Sequence, residues 1–296
     1  MGLAAIFVLT WNSGFIGAEY GLPFAGPFTI LFWRYFALTG LLLVYLLLRG
    51  RLSMPGWGAT GHAALVGFLS HGVWLSCVLL ALDEGVPAGI VALVVALQPL
   101  TTGVFSGMAT GERTTLRQWI GLLIGFAGVA TAVGARLNVR DGVSAFGYLV
   151  PFVSVVAITI ASLLQRRREL QTERTPIPMD LQMFFQVTAT CLGVAVPALF
   201  LEQLQTDWTP PFIAAMTWLT LVVSLASYTF MWMLIERMDA TRVAGLFYLG
   251  PPVTMLMAWI AFGDTLLLTD ILGLFIATGG VVLVQGGGLH RGPRAD

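Results

Sequence analysis

Residues 86–134 occur twice. Displacing the chain by 152 residues brings this stretch onto 238–286, and 15 of the 49 aligned positions are then identical without a gap. Pro99 falls on Pro251, Gly111 on Gly263, Gly121 on Gly273 and Gly128 on Gly280, while Glu112 faces Asp264. Each copy reads as an apolar helix interrupted by proline, a short polar turn, and a second apolar helix rich in glycine. A period this long does not suit a solenoid; it suits a membrane protein made of two related halves.

The surroundings of the two copies agree. Apolar spans are expected at 2–18, 27–48, 59–83, 86–108, 115–135, 143–164, 179–203, 212–235, 240–262 and 266–286. Each has the length a tilted helix needs to cross a bilayer. Only 10% of the residues are charged, against about 25% in soluble domains. The expected fold is therefore all-α and integral to the membrane, with ten transmembrane helices.

Five spans per half is an odd number, so the second half must enter the membrane the opposite way up. The chain then reads as two inverted five-helix repeats, the plan of many secondary transporters. The repeats are expected at 1–141 and 142–296, joined by a polar, arginine-rich linker at 165–178 between the sixth and seventh helices. Orientation follows from arginine. With the N-terminus in the cytoplasm, twelve arginines lie in inner segments and only Arg136 and Arg140 in outer loops. Both termini are thus expected in the cytoplasm, with the first span retained rather than cleaved.

Several function classes are disfavoured. All fifteen cationic residues are arginine, so the lysine of a phosphate-binding loop or of a Schiff base is missing. There is no H-E-x-x-H or G-x-S-x-G motif and no paired cysteines, so neither an enzyme nor a metal site is expected. Net charge is zero, which removes the basic footprint of a nucleic-acid binder. No cofactor and no obligate protein partner are expected; the partners are the bilayer and a small-molecule substrate.

The motifs resemble those of the EamA-like family of the drug/metabolite transporter superfamily. Trp11-Asn12-Ser13-Gly14-Phe15 is similar to that family's opening, and Pro27-Phe28-Thr29 with Phe32-Trp33-Arg34-Tyr35 to its second helix. Leu97-Gln98-Pro99-Leu100, Gly111-Glu112-Arg113, Gly121 and Gly128 resemble its fourth and fifth helices. Tyr248-Leu249-Gly250-Pro251-Pro252, Gly263-Asp264, Gly273 and Gly280 repeat that pattern, with aspartate where glutamate is usual. Within the family the chain looks most like bacterial amino-acid exporters of the YddG type. The resemblance implies a ten-helix transporter of the bacterial inner membrane, with a central cavity between the two five-helix halves, working by alternating access.

Candidate residues follow from depth in the membrane. Pro99 and Pro251 lie near the middle of their spans, and proline frees the carbonyl four residues earlier. With Pro252 they are expected to kink two matching helices, a common pointer to a midplane site. His71 sits midway along its span, and a midplane ionisable group defaults to a functional hypothesis. Trp74 and Val78 share its face. Trp11, Asn12, Gln98, Tyr228, Trp232 and Tyr248 complete the candidate substrate-binding set, giving aromatic walls with few polar tips. Arg34 is expected as a gate or clamp, or as a side chain that snorkels outward or pairs, with Glu19 the nearest plausible carboxylate. Structural alternatives stay open for each: bends that only shape the bundle, a packed histidine, and aromatics facing lipid.

Scarce charge and aromatic walls favour small neutral, partly apolar metabolites such as aromatic and other amino acids, moved as an exporter. Alternatives are another metabolite or drug class, or a channel-like facilitator.

Overall fold

The computed structural model describes residues 2–107, 115–138, 143–170, 177–235, 237 and 246–285. Among them the fold is all-helical; the β-structure present is an isolated bridge between Ala25 and Thr206. The helices are α1 (Gly2–Gly21), α2 (Pro27–Leu48), α3 (Trp57–Asp83), α4 (Ala88–Phe105), α5 (Leu116–Asn138), α6 (Ala145–Glu169) and α7 (Met179–Phe200). Helix α8 runs through Pro210–Thr217, Trp218–Ala226 and Ser227–Ile235. Then come α9 (Phe247–Phe262) and α10 (Leu268–Gln285).

Seven of these, α2 to α8, are long and apolar enough to cross a membrane, and α9 and α10 contain shorter apolar helices. Large apolar side chains are also exposed on outer faces, for example Leu41, Val44, Leu123, Val153, Val156, Leu192 and Val196. A helix apolar all round belongs in lipid rather than water.

Breaks in the helices lie where proline and packing dictate. In α4 the regular hydrogen bonding lapses at Ala96 and Leu97, between Ala88–Val95 and Gln98–Phe105, as expected from Pro99. In α9 a tight 3₁₀ turn at Phe247–Leu249 precedes Gly250–Phe262, as expected from Pro251 and Pro252. Two further irregularities carry no proline. Wide π-helical turns occupy Phe68–Val73 of α3 and Trp218–Ala226 of α8. Shifted by 152, the first becomes 220–225 and falls inside the second. The two halves therefore share a distortion that their local sequences do not share.

One expectation is shifted. Helix α6 continues through Arg166, Arg167 and Arg168 to Glu169, so the first residues of the expected linker at 165–178 are helical. Three arginines in the last turn complement the negative end of the helix dipole. Residues 171–176 lie outside the described residues, as do Gly111, Glu112 and Arg113.

The helices pack in related pairs. Helix α2 packs on α7, α4 on α9 and α5 on α10; α1 packs on α8 and α9, and α6 on α3 and α4. Exchanging each helix with the one five places away maps these principal pairs onto themselves. The α5–α10 contact is reciprocal at atomic level. A Cβ at Gly128 would stand 2.6 Å from the Gly273 carbonyl oxygen, and one at Gly273 would stand 2.5 Å from the Gly128 carbonyl oxygen. Gly280 in turn meets the backbone of Gly121 and Gly125. Gly121 thus faces Gly280 while Gly128 faces Gly273, so these two helices run antiparallel.

Candidate functional site

Helices α1, α2, α3, α7 and α8 surround a cavity with about 700 Å³ of space free of atoms, counted to its open mouth. Its wall is largely apolar and aromatic, with contributions from Trp11, Phe15, Tyr35, Trp74 and Tyr228.

Six of the expected residues come together here: Trp11, Arg34, His71, Trp74, Val78 and Tyr228 all line the cavity. The His71 ring lies 5.9 Å from that of Tyr35 and 6.1 Å from that of Tyr228. Gln186 of α7 and the Arg34 guanidinium face it as well. The π-helical turn of α3 carries His71, and that of α8 carries Val223 and Ser224. Such turns are frequent at functional sites because they rotate side chains out of the regular register.

Next to the cavity, at Trp11, is an aromatic cluster. Trp11 meets Phe7 at 5.7 Å, Tyr228 at 5.3 Å and Phe247 at 5.2 Å between ring centroids. Phe7, Val8 and Leu234 form a small buried core beneath these rings. This knot joins α1, α8 and α9 beside the cavity.

The other expected residues lie elsewhere. Asn12 is buried, donates from Nδ2 to the Val8 carbonyl at 2.8 Å and accepts from Thr254 Oγ1 at 3.2 Å. It ties α1 to α9. Tyr248 and Pro251 border a narrow crevice with Leu97 and Ala277 instead. Gln98, Pro99 and Pro252 are not among the residues lining this cavity. The side chain of Trp232 lies outside the described residues.

Arg34 is buried rather than snorkelling, at 6% exposure. Its Nε donates to Ser224 Oγ at 2.9 Å, and its Cζ lies 5.9 Å from the centre of the Tyr35 ring. Among the described residues it makes no ion pair; the one present there joins Arg51 to Asp180 at 3.2 Å near the helix ends. Tyr35, Ser224, Met183 and Val187 also line the cavity and were not anticipated. Tyr35 adjoins Arg34 in sequence, which is a usable signal. Ser224 offers none, because a single hydroxyl in an apolar helix usually bonds its own backbone.

Residues 1–134 match the model of the EamA-like transporter family. The chain carries an EamA-like transporter domain. It is a multi-pass membrane protein with a transporter-type domain, and the similar proteins are named as transporters. It is similar to the uncharacterized inner membrane transporter YedA of Escherichia coli K12, with 27% identity over 95% of this chain and 89% of that one. It also resembles a "probable amino-acid metabolite efflux pump" of Salmonella typhimurium, with 22% identity over 95% of this chain and 93% of the relative. A solved crystal structure, described only as that of a protein, superposes with a TM-score of 0.65 at 21% identity, covering 98% of each chain. That likeness concerns the fold.

Proposed function

We propose that this EamA-type chain exports small neutral, partly apolar metabolites, aromatic and other amino acids among them, by alternating access. The observation that carries this reading is the aromatic-walled cavity enclosed by α1, α2 and α3 together with α7 and α8. Amphipathic solutes suit such a wall: the apolar part replaces water against the rings, and a few polar tips fix orientation. The relative named as an amino-acid metabolite efflux pump supports the solute class.

In this reading ten helices cross the bilayer as two inverted repeats, 1–141 and 142–296. The exchange-related helix pairs and the reciprocal α5–α10 contact support it. The α5–α10 pair, locked backbone to backbone, forms the fixed stem. Helices α3 and α8, each weakened by a π-helical turn, bend beside the cavity to open it to one side and then the other. The inner-membrane relative and the arginine distribution support a bacterial inner membrane with both termini in the cytoplasm.

Counterflow in proteoliposomes tests the reading. Vesicles loaded with unlabelled phenylalanine, methionine or threonine are expected to accumulate trace labelled amino acid without an imposed pH gradient. Absence of accumulation for every amino acid removes the assignment, and linear, unsaturable flux turns it towards a channel.

His71 separates binding from coupling in the same assay. We expect His71→Ala to raise the half-saturating concentration roughly tenfold, the loss of about one hydrogen bond, with the pH dependence of flux unchanged. A flattened pH profile would instead make His71 a proton carrier. Unaltered saturation and flux would remove it from the site.

A further inference from the structure

Among the groups lining the cavity, the Arg34 guanidinium stands out. It is a full positive charge among aromatic rings, and none of the lining residues is an aspartate or glutamate. Arginine has five N–H donors in one plane. Only Nε is used: it donates to Ser224 Oγ. Ser224 is itself fixed, since its hydroxyl donates to the Leu219 carbonyl at 2.9 Å and its oxygen therefore accepts from Arg34. That carbonyl lies five residues back, the spacing a π-helical turn supplies. The four N–H groups of Nη1 and Nη2 have no hydrogen-bond partner among the described residues.

A second donor points the same way. Trp74 lines the cavity, and its Nε1 is shielded from solvent without a hydrogen-bond partner among the described residues. Donors left open in an apolar enclosure are costly unless something accepts from them. The charged group left over at the cavity is a donor, the guanidinium of Arg34. The complementary solute group is an acceptor with negative charge, and a planar carboxylate matches the two terminal nitrogens of arginine.

Resting on the transport reading above, we propose that the cavity selects its solute by a carboxylate, held end-on by Nη1 and Nη2 of Arg34. Ser224 is the positioning residue: by engaging Nε it turns the fork towards the cavity. An ammonium group is not required for recognition. No carboxylate is among the residues lining the cavity, and the ammonium is left to the faces of Tyr35 and Tyr228. The site therefore ranks solutes by the acid and not by the amine.

The experiment uses the intact wild-type protein and three probes that share a phenyl ring: L-phenylalanine, 3-phenylpropanoate, which keeps the carboxylate alone, and phenethylamine, which keeps the ammonium alone. Saturable binding is followed by tryptophan fluorescence of purified protein and by competition against labelled phenylalanine. Phenylalanine and 3-phenylpropanoate are expected to bind within about tenfold of each other, and phenethylamine roughly a hundredfold more weakly, the loss of two charge-assisted hydrogen bonds. Phenethylamine binding as well as phenylalanine overturns the carboxylate proposal and leaves the transport reading standing. Saturation by none of the three overturns both.

Variants refine the assignment. Arg34→Gln is expected to equalise the three probes, and Arg34→Lys to keep the order of preference with reduced affinity. Ser224→Ala leaves the charge in place and is expected to weaken 3-phenylpropanoate without changing phenethylamine. Equal loss of all probes in Ser224→Ala would mark a merely structural residue and overturn its positioning role. The wild-type comparison decides the main proposal even where a variant folds poorly.

Discussion

Gly128→Val is expected to destabilise the protein by about 3 kcal/mol or more, at the upper end of what overpacking costs. A Cβ at this position would lie 2.5 Å from the Ala277 backbone nitrogen and 2.6 Å from the Gly273 carbonyl oxygen. Flexible side chains can swing away from an added methyl group, but backbone atoms inside a helix cannot. Relief therefore requires α5 and α10 to separate, and that breaks the same contact at Gly273 and Gly280. The penalty is amplified in a bilayer, where close backbone packing is a principal source of helix association. Thermal unfolding in detergent, with fluorescence-detected size exclusion, is the measurement. Gly279→Ala, in the partner helix α10 and with open space around the added atom, is the control; it is expected to be neutral or slightly stabilising because alanine favours helix. Equal melting of Gly128→Val and wild type would remove the α5–α10 stem from the account.

Glu202→Ala is expected to cost about 3 kcal/mol, the sum of two hydrogen bonds to a charged acceptor. Helix α2 begins at Pro27 with Gly26 as its cap, and no side chain of its own satisfies its first N–H groups. Glu202, at the end of α7, does so: the Phe28 N–H donates to Oε1 at 3.0 Å and the Thr29 N–H to Oε2 at 2.6 Å. A carboxylate at a helix N-terminus is also favoured by the dipole. Gly26 is needed for the approach, since a Cβ there would fall on the Glu202 carboxylate. The surrounding loop adds a bond from Trp33 Nε1 to Thr206 Oγ1 at 3.0 Å and one from the Asp207 N–H to the Phe24 carbonyl at 2.9 Å. Together these fasten the α1–α2 turn to the α7–α8 turn. Glu202→Gln keeps an acceptor but not the charge, and is expected to lose about half as much stability as Glu202→Ala in the same melting assay. Identical losses for the two variants would show that packing, not capping, holds this turn.

Much of the fold was legible in local patterns. The helices α2 to α7 lie within a few residues of the expected spans, because twenty apolar residues in succession have few alternatives once water is excluded. The breaks at Ala96–Leu97 and Phe247–Leu249 followed from proline, whose missing N–H acts on its own helix wherever that helix packs. The repeated glycines Gly121, Gly128, Gly273 and Gly280 lie on the faces where α5 and α10 meet. The two π-helical turns were not legible. They carry no proline, and their sequences differ, so the distortion comes from packing rather than from propensity.

The candidate site was legible in part. Trp11, His71, Trp74 and Tyr228 share the cavity, each marked by a polar or aromatic group at mid-depth, and Val78 was marked by sharing the helix face of His71. Asn12 had the same mark and the neighbouring position, yet it faces Thr254 on α9. Depth can be counted along a chain, but the direction a side chain faces depends on how its helix is turned against five or six others. Arg34 shows the same division. Its sequence position told that a charge would lie within the membrane. Burial of that charge at a cavity wall, with Nε on Ser224 and its other donors open, depends on two residues 190 positions apart. No local pattern encodes that pairing, because only the packing of α2 beside the distorted turn of α8 brings the two together.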